Sequence, residues 1–307
     1  MLMKSFNYDL VKNKKKTFVF SSFFILLSLI GIIYSTFYTS YKRPINLGID
    51  FEGGYELRIE RICEIKCTDI SPDKILEEIT KSSSQQNIIN NVQLKFLNKN
   101  DLLIRTKSFL NPKESEKLIN DIEEIIGPLN YDNLVSREIG PKLGPKLLKD
   151  ASISLFISLL AISLYINIRF DKKYAFFALL ALFHDLFIVF GIFSWLGIIL
   201  SIEVNTLFAV SLLTIAGYSV NDTVVIFDRI RENLKSQKED YNETIQKSVN
   251  ESFRRTTFTS ITTLIPLLAL ILYGSASLFW FSLSLSLGII VGSYSSILLA
   301  PSFLLKD

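Results

Sequence analysis

The sequence predicts an α-helical polytopic membrane protein with six transmembrane helices and one small α+β domain between the first and second helices. Three observations carry the prediction. Of the 307 residues, 49% are hydrophobic and 24 are Phe, with a mean hydropathy of +0.33, too apolar for a soluble chain of this length. The apolar residues gather into runs of about twenty, enough to cross a hydrocarbon core of about 30 Å. A polar stretch separates the first of these runs from the other five.

The first run is Thr17–Thr36. A cleaved signal peptide also starts with lysines before an apolar core, but this run is too long for such a core and no clean small-x-small cleavage site follows it, so it reads as a retained anchor. The later runs are Ala151–Ile168, Tyr174–Leu200, Val204–Phe227, Thr257–Tyr273 and Leu278–Leu305. Orientation follows from the basic flanks. Lys12, Lys14, Lys15 and Lys16 precede the first span, Arg169, Lys172 and Lys173 separate the second from the third, and a basic stretch separates the fourth from the fifth. Ser201–Glu203 and Gly274–Ser277 hold no Lys or Arg. Positive residues stay inside, so both termini are expected in the cytoplasm.

That orientation puts 37–150 outside the cytoplasm, as one extracytoplasmic domain with hinge segments. It follows 1–36, the N-terminus and first helix, and precedes 151–307, a five-helix bundle with a cytoplasmic loop at 228–256. In the insert, "YELRIERI" alternates as a strand, and "SPDKILEEITKSS" is a helix with Ser71 at the cap and Pro72 in the first turn. "NVQLKFL", "NKND" and "LLIRTKSF" form a hairpin, Asn111-Pro112 opens a second helix, and "YDNLVSREI" closes as a strand. The order β-α-β-β-α-β is the ferredoxin-like pattern. Cys63 and Cys67 stand four apart, about 13 Å on a straight strand and beyond disulfide reach, so pairing requires a bulge or turn between them.

Two segments flank this domain. "NLGIDFEGGYEL" holds Gly48, Asp50, Gly53 and Gly54, and "REIGPKLGPKLLKDA" holds Gly140, Pro141 and Gly144. They read as turns joining a domain to its anchors, or as hinges that couple the two parts. Neither follows a strand and opens a helix with phosphate-loop spacing.

Formal net charge is +3 with basic residues scattered around the spans, which argues against nucleic acid. One His and two isolated Cys offer no metal site, and no cofactor is expected. The informative residues are acids inside the apolar runs. Asp185 sits mid-span beside His184, and Asp222 sits toward the cytoplasmic end of "AGYSVNDTVVIFDRIREN". An intramembrane charge costs about 2.5–3.5 kcal/mol on insertion scales, so it normally faces a partner or water. Asp222 follows Asn221 and lies four residues after Tyr218, on one helical face. The fifth span opens with "RRTTFTSITTL", placing Arg255, Thr256 and Thr259 toward the same cytoplasmic side. If the spans pack together, Arg255 is the counter-charge for Asp222, and the group becomes a candidate proton relay with Asp185 as a further carboxylate. "FDRIRENLKSQKEDYNETIQKSVNESFRR" reads as a cytoplasmic interfacial helix pair, and Gly288 and Gly292 as a step for close helix packing.

"GIDFEGG", "GPKLG", "HDLF", "AGYSVNDTVVIFDRIREN", "RRTTFTSITTL" and "GSYSSILLAP" resemble, in that order, the blocks of the SecD/SecF family of protein-export membrane proteins, of the resistance-nodulation-division type. The resemblance implies a six-span SecF-like half-transporter in the bacterial plasma membrane. It would pair with SecD, assist the SecYEG channel, and help pull unfolded preprotein outward. It also implies proton flow through the acid of the "ND" step and the arginine of the "RT" step, here Asp222 and Arg255. The larger outer domain expected of SecD is lacking. Two other readings stand beside this one: a scaffold that carries no protons, and an intramembrane aspartyl protease using Asp185 and Asp222. The protease lacks the Gly-x-Gly context such enzymes use.

Overall fold

The computed structural model describes residues 8–62, 74–75, 92–96, 100–106, 112–236 and 240–306. The chain divides into two compact units, Met1–Asn46 with Ala151–Asp307, and Leu47–Asp150.

The first unit contains α1 (Leu10–Tyr38), most of α4 (Leu143–Arg169), α5 (Lys172–Leu200), α6 (Thr206–Ser236), α7 (Tyr241–Tyr273) and α8 (Ala276–Tyr294). A π-turn over Ser295–Leu299 leads on to α9 (Ala300–Leu304). Six helices are long and apolar enough to cross a membrane, the last running Leu278–Leu304. On the first helix burial is inverted relative to a soluble protein. On α1 the buried side is Thr17, Ser21, Ser28, Gly31 and Ser35, whereas Val19, Phe20, Phe23, Leu26 and Ile30 are exposed. Where lipid takes the place of water, large apolar groups gain nothing by turning inward, and small residues let backbones approach. A Cβ at Gly191 of α5 would overlap Ser28 of α1, and one at Gly288 of α8 would lie 2.3 Å from Ile215 of α6.

The expected interfacial helix pair takes another form. α6 continues to Ser236 and α7 starts at Tyr241, so both long helices carry the charged stretch themselves. Apolar Ile230, Ile245 and Val249 are buried along it, while Arg229 of α6 donates to Glu251 of α7 at 2.7 Å.

The second unit is built on a four-stranded antiparallel sheet of order β2-β3-β1-β4, with β1 (Gly54–Arg61), β2 (Val92–Phe96), β3 (Asp101–Thr106) and β4 (Leu129–Ile139). A short helix α2 (Ile49–Glu52) precedes β1, and α3 (Pro112–Ile126) covers the sheet. Alternate strand residues Tyr55, Leu57, Ile59, Leu102 and Ile104 meet Leu118, Ile122 and Ile126, four apart on α3. Glu123 ties α3 to β4 by accepting the Leu129 amide and the Tyr131 hydroxyl, and that second bond holds the phenol above its usual range. The register between β1 and β4 shifts between Arg58 and Glu60, a bulge carried by β4. The first expected helix, apart from Lys74 and Ile75, lies outside the described residues, as do Cys63 and Cys67.

Candidate functional site in the helical bundle

Asp185 is fully buried on α5 and gathers three groups. His184 Nδ1 lies 2.9 Å from Oδ1, and the hydroxyls of Ser219 on α6 and Ser295 in the π-turn each donate to Oδ2 at 2.6 Å. The wide turn also aims the next residue at α6, with Ser296 Oγ 2.8 Å from Thr223 Oγ1 and 3.2 Å from the Ser219 carbonyl. Gly292 permits this approach, since a Cβ there would stand 3.3 Å from Ser219 Cβ and 3.6 Å from Asp185 Oδ2. Further along the same seam Ser284 of α8 donates to Ser211 of α6 at 2.7 Å. Asp185 is thereby an anchor for α5, α6 and the π-turn.

Asp222 has other surroundings. It is 2% exposed on α6, and its Oδ2 has no hydrogen-bond partner among the described residues. Thr256 on α7 is equally buried, with Oγ1 also unmatched. Tyr218, one turn before Asp222, donates to Ser260 Oγ of α7 at 3.1 Å, and Ser260 continues to Ser293 of α8 at 2.6 Å. A hydroxyl chain therefore links three helices beside the acid. Arg255, beside Thr256 on α7, makes no direct ion pair with Asp222 among the described residues. Its exposed guanidinium lines a cleft of about 510 Å³ between α6 and α7, together with Val225, Asp228, Arg229, Glu232 and Glu251.

Asp222, Tyr218 and Thr256 thus lie in the packed α6, α7 and α8 region, with Arg255 at the cleft. Asn221 is exposed, and Thr259 is exposed with its hydroxyl bonded back to the Arg255 and Thr256 carbonyls of its own helix. Ser219, Thr223, Ser295 and Ser296 were not among the expected site residues. The signal for the last two was the serine cluster in "GSYSS", where hydroxyls inside an apolar helix mark a polar partner.

The flanking glycine segments meet one another inside the second unit. Gly48 precedes α2 and Asp50 lies in its first turn. Gly53 ends it at φ +75°, with its amide donating to the Ile49 carbonyl at 2.8 Å, and Gly54 follows at φ +124°. Gly54 pairs with Ile139 at the end of the β1/β4 ladder. Beyond it Gly140 and Pro141 turn the chain into α4, and a Cβ at Gly144 would fall 2.6 Å from the Gly53 nitrogen. Backbone touches backbone here, which leaves no room for a side chain.

The family model described as "Protein export membrane protein SecD/SecF, C-terminal" matches residues 118–306, and the "SecD/SecF GG Motif" model matches 40–60, which includes Gly53 and Gly54. The chain is 44% identical over 305 residues to the protein translocase subunit SecF of Prochlorococcus marinus, covering 97% of this chain and 95% of that one. It is 35% identical to the protein translocase subunit SecF of a Synechocystis species, covering 96% and 92%. The crystal structure of SecDF from Thermus thermophilus, described as a translocon-associated membrane protein, matches with a TM-score of 0.80 at 26% identity. That match covers 99% of this chain but only 39% of the longer SecDF chain. This multi-pass membrane chain belongs to the SecD/SecF family of protein-export membrane proteins.

Proposed function

We propose that the chain is a SecF-like subunit of the Sec protein-export machinery in the bacterial plasma membrane, with both termini in the cytoplasm. Together with a SecD partner it uses the proton-motive force to promote passage of unfolded preprotein through SecYEG. It performs no hydrolytic chemistry. The observation that carries the reading is Asp222, an almost fully buried acid whose Oδ2 has no hydrogen-bond partner among the described residues, beside the bonded hydroxyls of Tyr218 and Ser260 and the unmatched one of Thr256.

An isolated carboxylate in a low-dielectric interior is costly to ionise. Asp222 therefore holds its proton while Arg255 stays in the cleft, and releases it when the guanidinium swings in to pair with the anion. Tyr218, Thr256 and Ser260 supply hydroxyls that can hold water along the way, while Asp185 keeps α5, α6 and the π-turn in register. Asn221 and Thr259 flank the path. A transmembrane potential supplies about 2.3 kcal/mol per charge per 100 mV, enough to bias the exchange. The insert 37–150 acts as the extracytoplasmic ferredoxin-like domain, and Gly48, Asp50, Gly53, Gly54, Gly140, Pro141 and Gly144 form the stiff hinge that transmits movement to it.

The test is export of a secreted reporter in cells depleted of the protein and complemented with Asp222→Asn or Arg255→Ala. Export is expected to fall to the depleted level, with its dependence on membrane potential lost. Normal, potential-dependent export by both variants would leave only a scaffold that carries no protons.

A further inference from the structure

The insert 37–150 is joined to the helical unit by two stretches of chain, and the bundle holds them differently. The first, after α1, is fastened. Ser35 of α1 donates to the Arg43 carbonyl at 2.8 Å, Ser194 of α5 donates to the Pro44 carbonyl, and the Val204 amide donates to the Asn46 carbonyl at 2.9 Å. The second stretch is α4, and along 151–169 its single buried residue is Ile166. Ser163 and Asn167 bond back to carbonyls of their own helix, while Leu155 and Leu159 line an open apolar groove.

The grip on α4 is concentrated at its last turn. Arg169 donates to Asp228 of α6 at 2.6 Å, and Arg231 of α6 donates to the Arg169 carbonyl at 3.2 Å. Phe170, which follows, is buried and meets the fully buried Phe227 of α6 edge-on, with ring centroids 6.2 Å apart. The Arg169 and Arg231 guanidinium groups lie over the Phe170 ring at 5.5 and 5.4 Å. Phe227, Asp228 and Arg231 of α6 therefore hold the foot of α4. Asp228 lies about 9 Å beyond Asp222 along one continuous helix, so a shift of α6 at the acid reaches Arg169 directly.

We propose that Arg169 and Asp228 are positioning residues that pass movement of α6, set by the proton on Asp222, to α4, which swings about Ile166. The proposal rests on the proton exchange described above and adds the joint through which that exchange leaves the bundle. Ile166 lies about 4.5 Å before Arg169 and about 35 Å from Leu143 along the helix, so a displacement at the foot grows roughly eightfold at the far end. The Arg169 and Asp228 side chains are 45% and 36% exposed, and an ion pair so open to solvent contributes little to stability. Its removal should therefore change movement and leave folding intact.

The test is a spin-label distance between cysteines at Ile153, far from the foot of α4, and Ile199, late in α5, both exposed. The full chain, with Cys63→Ser and Cys67→Ser, is reconstituted with its SecD partner in lipid nanodiscs and measured at acid and at alkaline pH. The distance in the parent is expected to shift by several ångströms between the two, and Asp222→Asn to hold one distance at both. Arg169→Ala should lose most of the shift while melting with the parent, and Arg169→Lys, which still pairs with Asp228, should keep most of it. A parent distance that ignores pH, or a Lys variant no better than Ala, would overturn the joint. So would a full shift in Arg169→Ala with none in Asp222→Asn, a result that leaves the proton exchange standing. A shift of parental size in Asp222→Asn would instead remove that acid as the driver and overturn the proton reading itself.

Discussion

Asp185 and Asp222 lie on helices that pack together, and what meets each one sets its role. Both Asp185 oxygens have partners, Oδ2 two serine donors and Oδ1 the His184 Nδ1, so its side chain is a structural anchor. Removing it with Asp185→Ala leaves the Ser219 hydroxyl and an imidazole nitrogen unmatched, and leaves Ser295 with only its 3.1 Å bond to the Gly292 carbonyl. Interhelical hydrogen bonds in membranes average about 0.6 kcal/mol each, which puts the loss at roughly 1–3 kcal/mol for the set. Asp185→Asn retains a carbonyl to accept the serines and should lose less. Thermal denaturation in detergent is the measurement, and an Ala variant that melts with the parent protein would show that the cluster anchors nothing. Asp185→Asn should also keep more export activity than Asp222→Asn, since the second acid is the one with an unmatched oxygen.

Among the elements, those with a strong local period were legible in the sequence. β1 and β3 alternate and α3 places Leu118, Ile122 and Ile126 four apart, so the sheet and its helix follow from pattern alone. The six spans were legible by length, but their ends were not. Charges at Arg229 and Arg231 look like a helix leaving the membrane, whereas α6 and α7 continue through the charged stretch with Ile230, Ile245 and Val249 buried along it. The π-turn left no mark that a local rule reads, since its geometry answers to Asp185 more than a hundred residues away. The small-residue seam was visible at Gly288 and Gly292 but hidden in α1, where the exposed residues are the apolar ones. Asp222 and Arg255 stood out in the sequence because charge in or beside an apolar run is rare; Ser295 did not because serine there is common. Gly288→Ala gives the seam a quantitative test. Its Cβ would stand 2.3 Å from Ile215, overpacking that typically costs about 1–3 kcal/mol. Ile215→Ala in the same chain should restore most of the loss. Failure of that rescue would mean the α6/α8 contact is not what Gly288 protects.

For the molecule as a whole, the distribution of burial among the helices is uneven. The most apolar windows of α5, α6 and the last span are 56%, 56% and 61% buried, against 6% for α4 and 17% for α7. Both carry large exposed apolar side chains, but α4 is uncovered nearly all the way round. Ile153, Phe156, Ile157, Leu160 and Ile168 share one side of it, Tyr165 is exposed beside them, and Ile166 is the single buried residue of 151–169, as suits lipid. On α7, Phe258, Ile261, Ile265, Leu268 and Leu272 recur at alternating spacings of three and four, a narrow seam of the kind one helix offers another. The match covers 39% of the longer solved SecDF chain, and the partner proposed above is the candidate for that seam. Cysteines at Ile261 and Leu268, in a chain co-expressed with its SecD partner, should therefore cross-link to that partner, while a cysteine at Phe156 on α4 should react with lipid-soluble reagents instead. Cross-links from Phe156 with none from α7 would reverse the assignment. They would place the partner on the broad face and leave the α7 seam, with Arg255 just before its N-terminal end, facing the bilayer.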